Sequence, residues 1–457
     1  MAKSKIAYVC SDCGSDFPKW QGRCDDCGAW NTLSEFRTGS PASGGNKPRA
    51  GQFAGYAGSL SDVKTLAEID LTELPRLGTG VDELDRVLGG GLVPGSAILI
   101  GGHPGAGKST LLLQVLCKLA QSQSAMYVTG EESLQQVAMR AQRLSLPTDS
   151  LKMLSETSVE SICAVAEKHK PKLLVVDSIQ VMSREGVPSA PGGVAQVREC
   201  AAYLIRYAKL TNTVLILVGH VTKDGTLAGP KVLEHMIDCS VMLESSTDNR
   251  FRTLRGVKNR FGAVNELGVF AMTEKGLREV KNPSAIFLSR ADEPAAGSVV
   301  MVVWEGTRPI LVELQALVDD SNYGNPRRLA VGVDQNRLSM LIAVLHRHGG
   351  VQVGDQDVFI NVVGGLKVME TSADLALLLA IISSLRDRPL STDLVVFGEV
   401  GLSGEIRPVP SGQERLNAAA KHGFRQAIVP EANMPKGGVK GMKVMGVKTL
   451  AAALAAL

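Results

Sequence analysis

The sequence predicts an α/β protein of several domains. A parallel, doubly wound sheet carries a nucleotide loop, a small metal-ordered module precedes it, and a second α/β domain follows. Three observations carry this prediction. The chain has 457 residues, more than one hydrophobic core organises, because single cores stop growing near about 250–300 residues. The segment SAILIGGHPGAGKSTLLLQVLCKLA sets an apolar strand, a glycine-rich loop and an amphipathic helix in immediate succession. Four of the eight cysteines, Cys10, Cys13, Cys24 and Cys27, crowd at the start of the chain. A hydrophobic fraction of 44% with 21% charged residues excludes dominant disorder. The net charge of +3 neither requires nor excludes a polyanionic partner, since nucleic-acid footprints are local patches. The opening MAKSKIAYVC lacks a signal-peptide core, and no apolar run long enough to span a bilayer follows, so a cytoplasmic protein without a membrane partner is expected.

The first element, residues 1–36, holds two C-x-x-C-G knuckles, CSDCG from Cys10 and CDDCG from Cys24. Each knuckle turns two thiolates toward one ion, and two knuckles complete a tetrahedral Zn2+ shell of Cys10, Cys13, Cys24 and Cys27. A closed four-thiolate shell has no place for a reacting water, so this zinc is expected to be structural or recognitional, not catalytic. A redox dithiol pair or disulfides are the lesser alternative in a reducing compartment. Trp20 and Trp30, near Lys19 and Arg23, are read as the miniature core of the module rather than as a nucleic-acid contact. Residues 37–60 are rich in Gly, Ser, Ala and Pro and read as a flexible linker. The remaining cysteines, Cys117, Cys163, Cys200 and Cys239, fall in regular segments and read as core thiols.

Residues 61–282 form the nucleotide domain. In the Walker A loop, Gly102, His103, Pro104, Gly105, Ala106, Gly107, Lys108 and Ser109, followed by Thr110, the glycines let backbone N–H groups approach phosphates at a helix N-terminus. Lys108 is expected on the β and γ phosphates of ATP and Ser109 on Mg2+. KLLVVDSIQ is an apolar strand ending in Asp177, the form of a Walker B carboxylate that holds the same Mg2+. AMYVTGEES ends a strand at Glu131 and Glu132. Glu131 is the preferred base for the attacking water, the alternative being that either glutamate caps the next helix. VLILVGHVTKDG ends at His220, read about equally as a γ-phosphate sensor and as a structural histidine.

TGVDELDRVLGGGLVPGS before the loop, the strand order after it and VKNRFG at Val257–Gly262 together resemble the bacterial RadA (Sms) family of DNA repair and recombination ATPases over essentially the whole chain. The resemblance implies a RecA-like P-loop NTPase core and an ATP-dependent motor on single-stranded or branched DNA. It also implies a homohexameric ring and cooperation with a RecA-type recombinase. In such a ring Lys258 and Arg260, read as sharing one strand face by their K-x-R spacing, reach the γ-phosphate held by a neighbour. DNA contact is expected in two loops, at about 183–196 and 222–231, with Arg184, Lys223 and Lys231 on phosphates.

Residues 283–457 read as a second α/β domain, similar to that of Lon proteases. Ser372 falls where the Lon nucleophile stands, and Gln413 falls where the partner lysine belongs. An amide cannot accept the serine proton, and Arg415 stays protonated, so no peptidase activity is expected. Arg327, Arg328, Arg337, Arg347 and Lys367 are a candidate basic surface, or simply a solvated exterior. Two rival functions remain: an ATP-driven Lon-type protease, which Gln413 opposes, and a nucleotide-switched oligomeric scaffold with slow hydrolysis and little response to DNA.

Overall fold

The computed structural model of the chain describes residues 6–10, 16–17, 19–25, 28, 30, 32–37, 75–220, 231–245, 250–288, 294–321 and 326–457. The chain divides into two compact units, one running to Glu279 and the other beginning at Val280.

In the N-terminal module, β1 (Ile6–Cys10) pairs antiparallel with β2 (Asp16–Phe17) on one side and β3 (Leu33–Arg37) on the other. So short a sheet buries little, and its core is Cys10, Cys24 and Leu33 with Tyr8 and Phe17 packed against them. The two tryptophans are not that core. Trp20 is 57% and Trp30 70% exposed, with the Arg23 guanidinium 5.9 Å from the Trp30 ring. Small thiols and the aromatics of the strands fill the interior, and the bulkier rings stay outside.

The nucleotide domain opens with α1 (Asp82–Val87) and alternates strand and helix. These are β4 (Ala97–Gly102), α2 (Lys108–Leu119), β5 (Ala125–Thr129), α3 (Leu134–Arg143) and β6 (Lys152–Ser155). There follow α4 (Val159–His169), β7 (Leu173–Asp177), α5 (Val194–Thr211), β8 (Val214–Val218), α6 (Lys231–Met236) and β9 (Cys239–Ser245). Three further strands close the run: β10 (Phe251–Asn259), β11 (Leu267–Thr273) and β12 (Gly276–Glu279). The sheet order is β12-β11-β10-β9-β4-β8-β7-β5-β6. From β9 to β6 neighbouring strands run parallel, as expected for a doubly wound sheet with its chemistry at the carboxyl edge. Strands β10 to β12 extend it antiparallel, so the whole sheet is mixed. Period-two alternation divides the core between its faces. Ile98 and Ile100 pack with Leu111 and Leu112 of α2, while Ala97 and Leu99 pack with Ile162 of α4 and Leu204 of α5. The four thiols outside the knuckles are buried. Burial pushes Cys163, Cys200 and Cys239 up to about 12 and Cys117 to about 11, which keeps them as inert core groups.

The C-terminal unit contains β13 (Ser298–Glu305), β14 (Arg308–Asp320), β15 (Arg328–Val331), α7 (Gln335–Gly349), β16 (Gln356–Val362) and α8 (Asp374–Leu385). It continues through β17 (Leu394–Val396), the small hairpin β18 (Glu399–Val400) and β19 (Ile406–Arg407), and α9 (Gly412–Lys421). It ends in β20 (Gln426–Pro430), β21 (Lys443–Val447) and α10 (Leu450–Ala455). Its sheet order is β15-β16-β14-β13-β17-β20-β21. Helix α8, DLALLLAIISSL, is apolar on nearly every side and is buried from Asp374 to Ser383, as a helix without a polar face must be. Among the described residues no helix is long and apolar enough to cross a membrane.

Candidate functional site

The glycine loop leaves the carboxyl end of β4 between β8 and β9. It begins with a turn in which the Ala106 N–H donates to the His103 carbonyl at 3.1 Å. Pro104 takes the second position and Gly105, at φ +79°, the third, the pattern of a type II turn. A Cβ on Gly105 would meet nothing within 4 Å, so glycine is required there by conformation and not by space. Ser109 and Thr110 follow Lys108 in the first turn of α2.

Lys108 is buried and folds back over the loop, its Nζ donating to the carbonyls of Gly102 at 2.7 Å and His103 at 3.0 Å. Burial lowers its ammonium below the ordinary lysine value, against the opposing charges of Asp177 and Glu131. The same Nζ lies 3.3 Å from His220 Nδ1, and His220 Nε2 lies 3.4 Å from Glu131 Oε1. An ammonium only donates, so Nδ1 is the acceptor from Lys108 and Nε2 faces Glu131. Lys108, His220 and Glu131 therefore form one chain. The Ser178 hydroxyl donates to the same Glu131 oxygen.

The neighbouring glutamate is placed differently. Glu132 forms a two-point ion pair with Arg140 of α3, one N–H···O distance being 2.8 Å. Ser133 and Gln136 cap α3 in a capping box, so neither glutamate is needed as its cap. Asp177, at the end of β7, is buried and accepts the Tyr127 hydroxyl. Burial, then the Asp177 charge, pushes that phenol well above its ordinary range. Tyr127 thus holds Asp177, which with Ser109 supplies the side-chain oxygens that suit Mg2+. Sequence reading passed over Tyr127, Ser178 and Arg140. A lone tyrosine within the apolar AMYVT was the available signal, because a buried phenol must find a partner.

Lys258 and Arg260 lie at the other end of the sheet. Lys258 Nζ donates to the carbonyls of Glu234 and, at 2.9 Å, Ile237, beyond α6. Burial, then the Arg260 charge, lowers it below the ordinary lysine value. Arg260 follows the last residue of β10 and meets Asp238 at 3.2 Å. A register shift between Gly256 and Lys258 precedes the pair, and both cations reach the segment at Ile237 and Asp238. Arg184 is held by Glu199 at 2.7 Å and stacks 5.2 Å from the Tyr203 ring. Lys223 lies outside the described residues, and so does the Lys231 side chain, although its backbone begins α6.

Of the zinc cysteines, Cys10 and Cys24 belong to one buried cluster, while Cys13 and Cys27 lie outside the described residues. The Gly28 N–H donates to the Cys24 carbonyl at 2.8 Å with φ at +75°, the tight turn a C-x-x-C-G knuckle requires. One described thiol from each knuckle thus sits in a common interior, a placement that fits a shared zinc.

In the C-terminal unit Gln413 points outward and bonds Asn417. The group beside Ser372 is Arg415 instead, with a guanidinium N–H 3.2 Å from Oγ. Arg415 is fully buried and is also bound by Glu370 at 2.8 Å and by the carbonyls of Val302 and Pro410. One helical turn is a coarse ruler, and the two-residue offset in α9 separates the aligned position from the one facing the serine. Of the proposed basic surface, Arg337 is paired with Asp374, and Arg328 is spent on the carbonyls of Val353, Gly354 and Gln356.

A central parallel strand, a glycine loop at its carboxyl end and a lysine, serine and carboxylates gathered around it define a P-loop nucleotide-binding protein. Residues 70–226 match the family described as AAA domain, residues 8–35 the rubredoxin metal binding domain, and residues 330–433 subunit ChlI of Mg-chelatase. The DNA repair protein RadA of Escherichia coli strain K12 is 69% identical over 455 residues, 99% of each chain. That of Bacillus subtilis strain 168 is 46% identical over 459 residues, again 99% of each. The chain belongs to the RadA family of DNA repair proteins.

Proposed function

We propose that the protein is an ATP-driven motor on single-stranded or branched DNA that processes intermediates of recombinational repair. In this reading it works in the cytoplasm as a homohexamer alongside a RecA-type recombinase. The observation that carries the reading is the Lys108–His220–Glu131 chain beside the glycine loop. It gives one residue to neutralise phosphate charge, one carboxylate to take a water proton and a histidine that feels both. Ser109 and Asp177 would hold Mg2+, which supplies charge neutralisation between phosphates. Glu131 orients water, and His220 reports the site's state to the segment that follows it. Cys10, Cys13, Cys24 and Cys27 would hold Zn2+ as a structural ion.

The Lon-type protease reading loses ground chemically, because a guanidinium beside Ser372 cannot accept its proton. The test is ATP turnover by the zinc-loaded protein without DNA, with single strands and with duplex, Lys108→Ala serving as control. Stimulation by single strands that the control lacks is expected. Equal turnover in all three conditions would overturn DNA coupling and favour a nucleotide-switched scaffold.

A further inference from the structure

Arg252 is a buried cation for which the nucleotide chemistry above has no use. It stands near the start of β10, opposite Ser245 of β9 and Phe270 of β11, and is 5% exposed. Leu254, two residues on and therefore on the same face, belongs to the apolar cluster that includes Leu111 and Leu112 of α2. A guanidinium on that face is costly unless its donors are used. Its Nε–H donates to the carbonyl of Ala106 at 2.8 Å, inside the glycine loop, and one of its terminal nitrogens donates to the Phe251 carbonyl at 2.9 Å.

The loop bond has a geometric consequence. The Ala106–Gly107 peptide is planar and trans, so its C=O and N–H point in opposite directions. Fixing the Ala106 carbonyl toward Arg252 therefore turns the Gly107 N–H away from it. Gly107 is the N-cap of α2, at φ +105°, and its N–H is one of the orphan donors that a helix start offers to an anion. The Ala106 N–H is already used by the turn from His103, so this peptide carries the loop's orientation where it enters the helix.

We infer that Arg252 is a positioning residue for phosphate binding: by holding the Ala106 carbonyl it presets the Gly107 N–H for the nucleotide's phosphates. The inference rests on the nucleotide-site reading and adds to it a residue well outside the Walker motifs. Arg252 acts through the peptide and not by touching phosphate. Its loss should therefore weaken phosphate-bearing ligands by more than any loss of stability accounts for.

The test uses the full-length chain, Arg252→Met and Arg252→Lys. ADP and inorganic pyrophosphate each compete with a fluorescent ADP analogue, and the unfolding midpoint is taken without nucleotide. Arg252→Met should weaken both ligands about tenfold to a hundredfold, the range of a charge-assisted hydrogen bond. Its midpoint should fall somewhat, because the Ala106 and Phe251 carbonyls lose their donor, but the loss of affinity should exceed that of Arg252→Lys by more than any difference in midpoint accounts for. Arg252→Lys, which keeps the charge and a donor, should recover part of the loss. A folded Arg252→Met that binds ADP as tightly as wild type overturns the inference. So does a loss of affinity that merely follows the midpoint and is equal in both variants. If Arg252→Met does not fold, the hydrogen exchange of the Arg252 Nε proton in the wild-type chain decides. Slow exchange without nucleotide supports the preset loop, and free exchange overturns it. Should the wild-type chain itself fail to bind ADP, the nucleotide reading fails first and this inference falls with it.

Discussion

Glu131 and Glu132 are adjacent in sequence but differ in what holds them, and that difference separates their expected phenotypes. Glu132 is committed to Arg140, whereas Glu131 faces His220 and Ser178. Glu131→Gln should keep ATP binding and slow turnover by about 10²-fold or more, the usual contribution of a general base. Glu132→Gln should bind and turn over ATP near the wild-type rate and cost at most about 1 kcal/mol in unfolding, because its ion pair is partly solvated. Equal damage from both would remove the assignment of Glu131. Lys108 allows a prediction in pH. Burial lowers its folded value below the ordinary 10.5, so between those two values the unfolded chain holds more protons. Stability contributed by this group therefore rises with pH through that window and is level below it. Lys108→Met should abolish turnover and remove that rise, as melting at paired pH values with and without the substitution would show.

Each element earned a different degree of legibility. The glycine loop could be read in full because its meaning is local: Pro104 and Gly105 set a turn, and the strand and helix around it set the direction. The zinc knuckles were legible for the same reason, but Trp20 and Trp30 were not, since what fills a module this small depends on how its thiols and strand aromatics pack. The register of α9 was likewise hidden. Only tertiary packing shows that Arg415, and not Gln413, meets Ser372, just as only the folded sheet brings Tyr127 to Asp177 and Arg252 to Ala106. Two predictions belong at this scale. Cys24→Ser should reduce bound zinc to about a tenth or less of the wild-type content by metal analysis, since structural zinc binding is coupled to folding of so small a module; it should leave the nucleotide domain's melting unchanged. Arg415→Met should lower the melting of the C-terminal unit, because Glu370 loses its buried partner at a cost of about 3–5 kcal/mol. Ser372→Ala should change neither melting nor ATP turnover.

At the scale of the whole molecule the question is which site Lys258 and Arg260 serve. Strand β10 brings Arg252 to the chain's own glycine loop at one end and carries Lys258 at the other. Six residues of strand separate them, about 20 Å at the rise of an extended chain. Within one subunit Lys258 is instead engaged with the carbonyls of Glu234 and Ile237, and Arg260 with Asp238. A cation so placed can reach a γ-phosphate only on another copy, so the proposed ring makes a prediction that no single subunit can satisfy. In the proposed ring Lys108→Ala would have a dead site but an intact finger, and Lys258→Ala the reverse. Each alone should lose turnover, by about 10³-fold or more for a missing finger. Mixed and allowed to reassemble, they should recover DNA-stimulated hydrolysis, because a Lys258→Ala site can then receive Lys258 from a Lys108→Ala neighbour. Recovery should be greatest near equal proportions and should fall on dilution below the assembly concentration. A mixture no more active than its separate components would place the role of these two cations within their own subunit, bracing the segment around α6 and Asp238 that follows the proposed DNA loop.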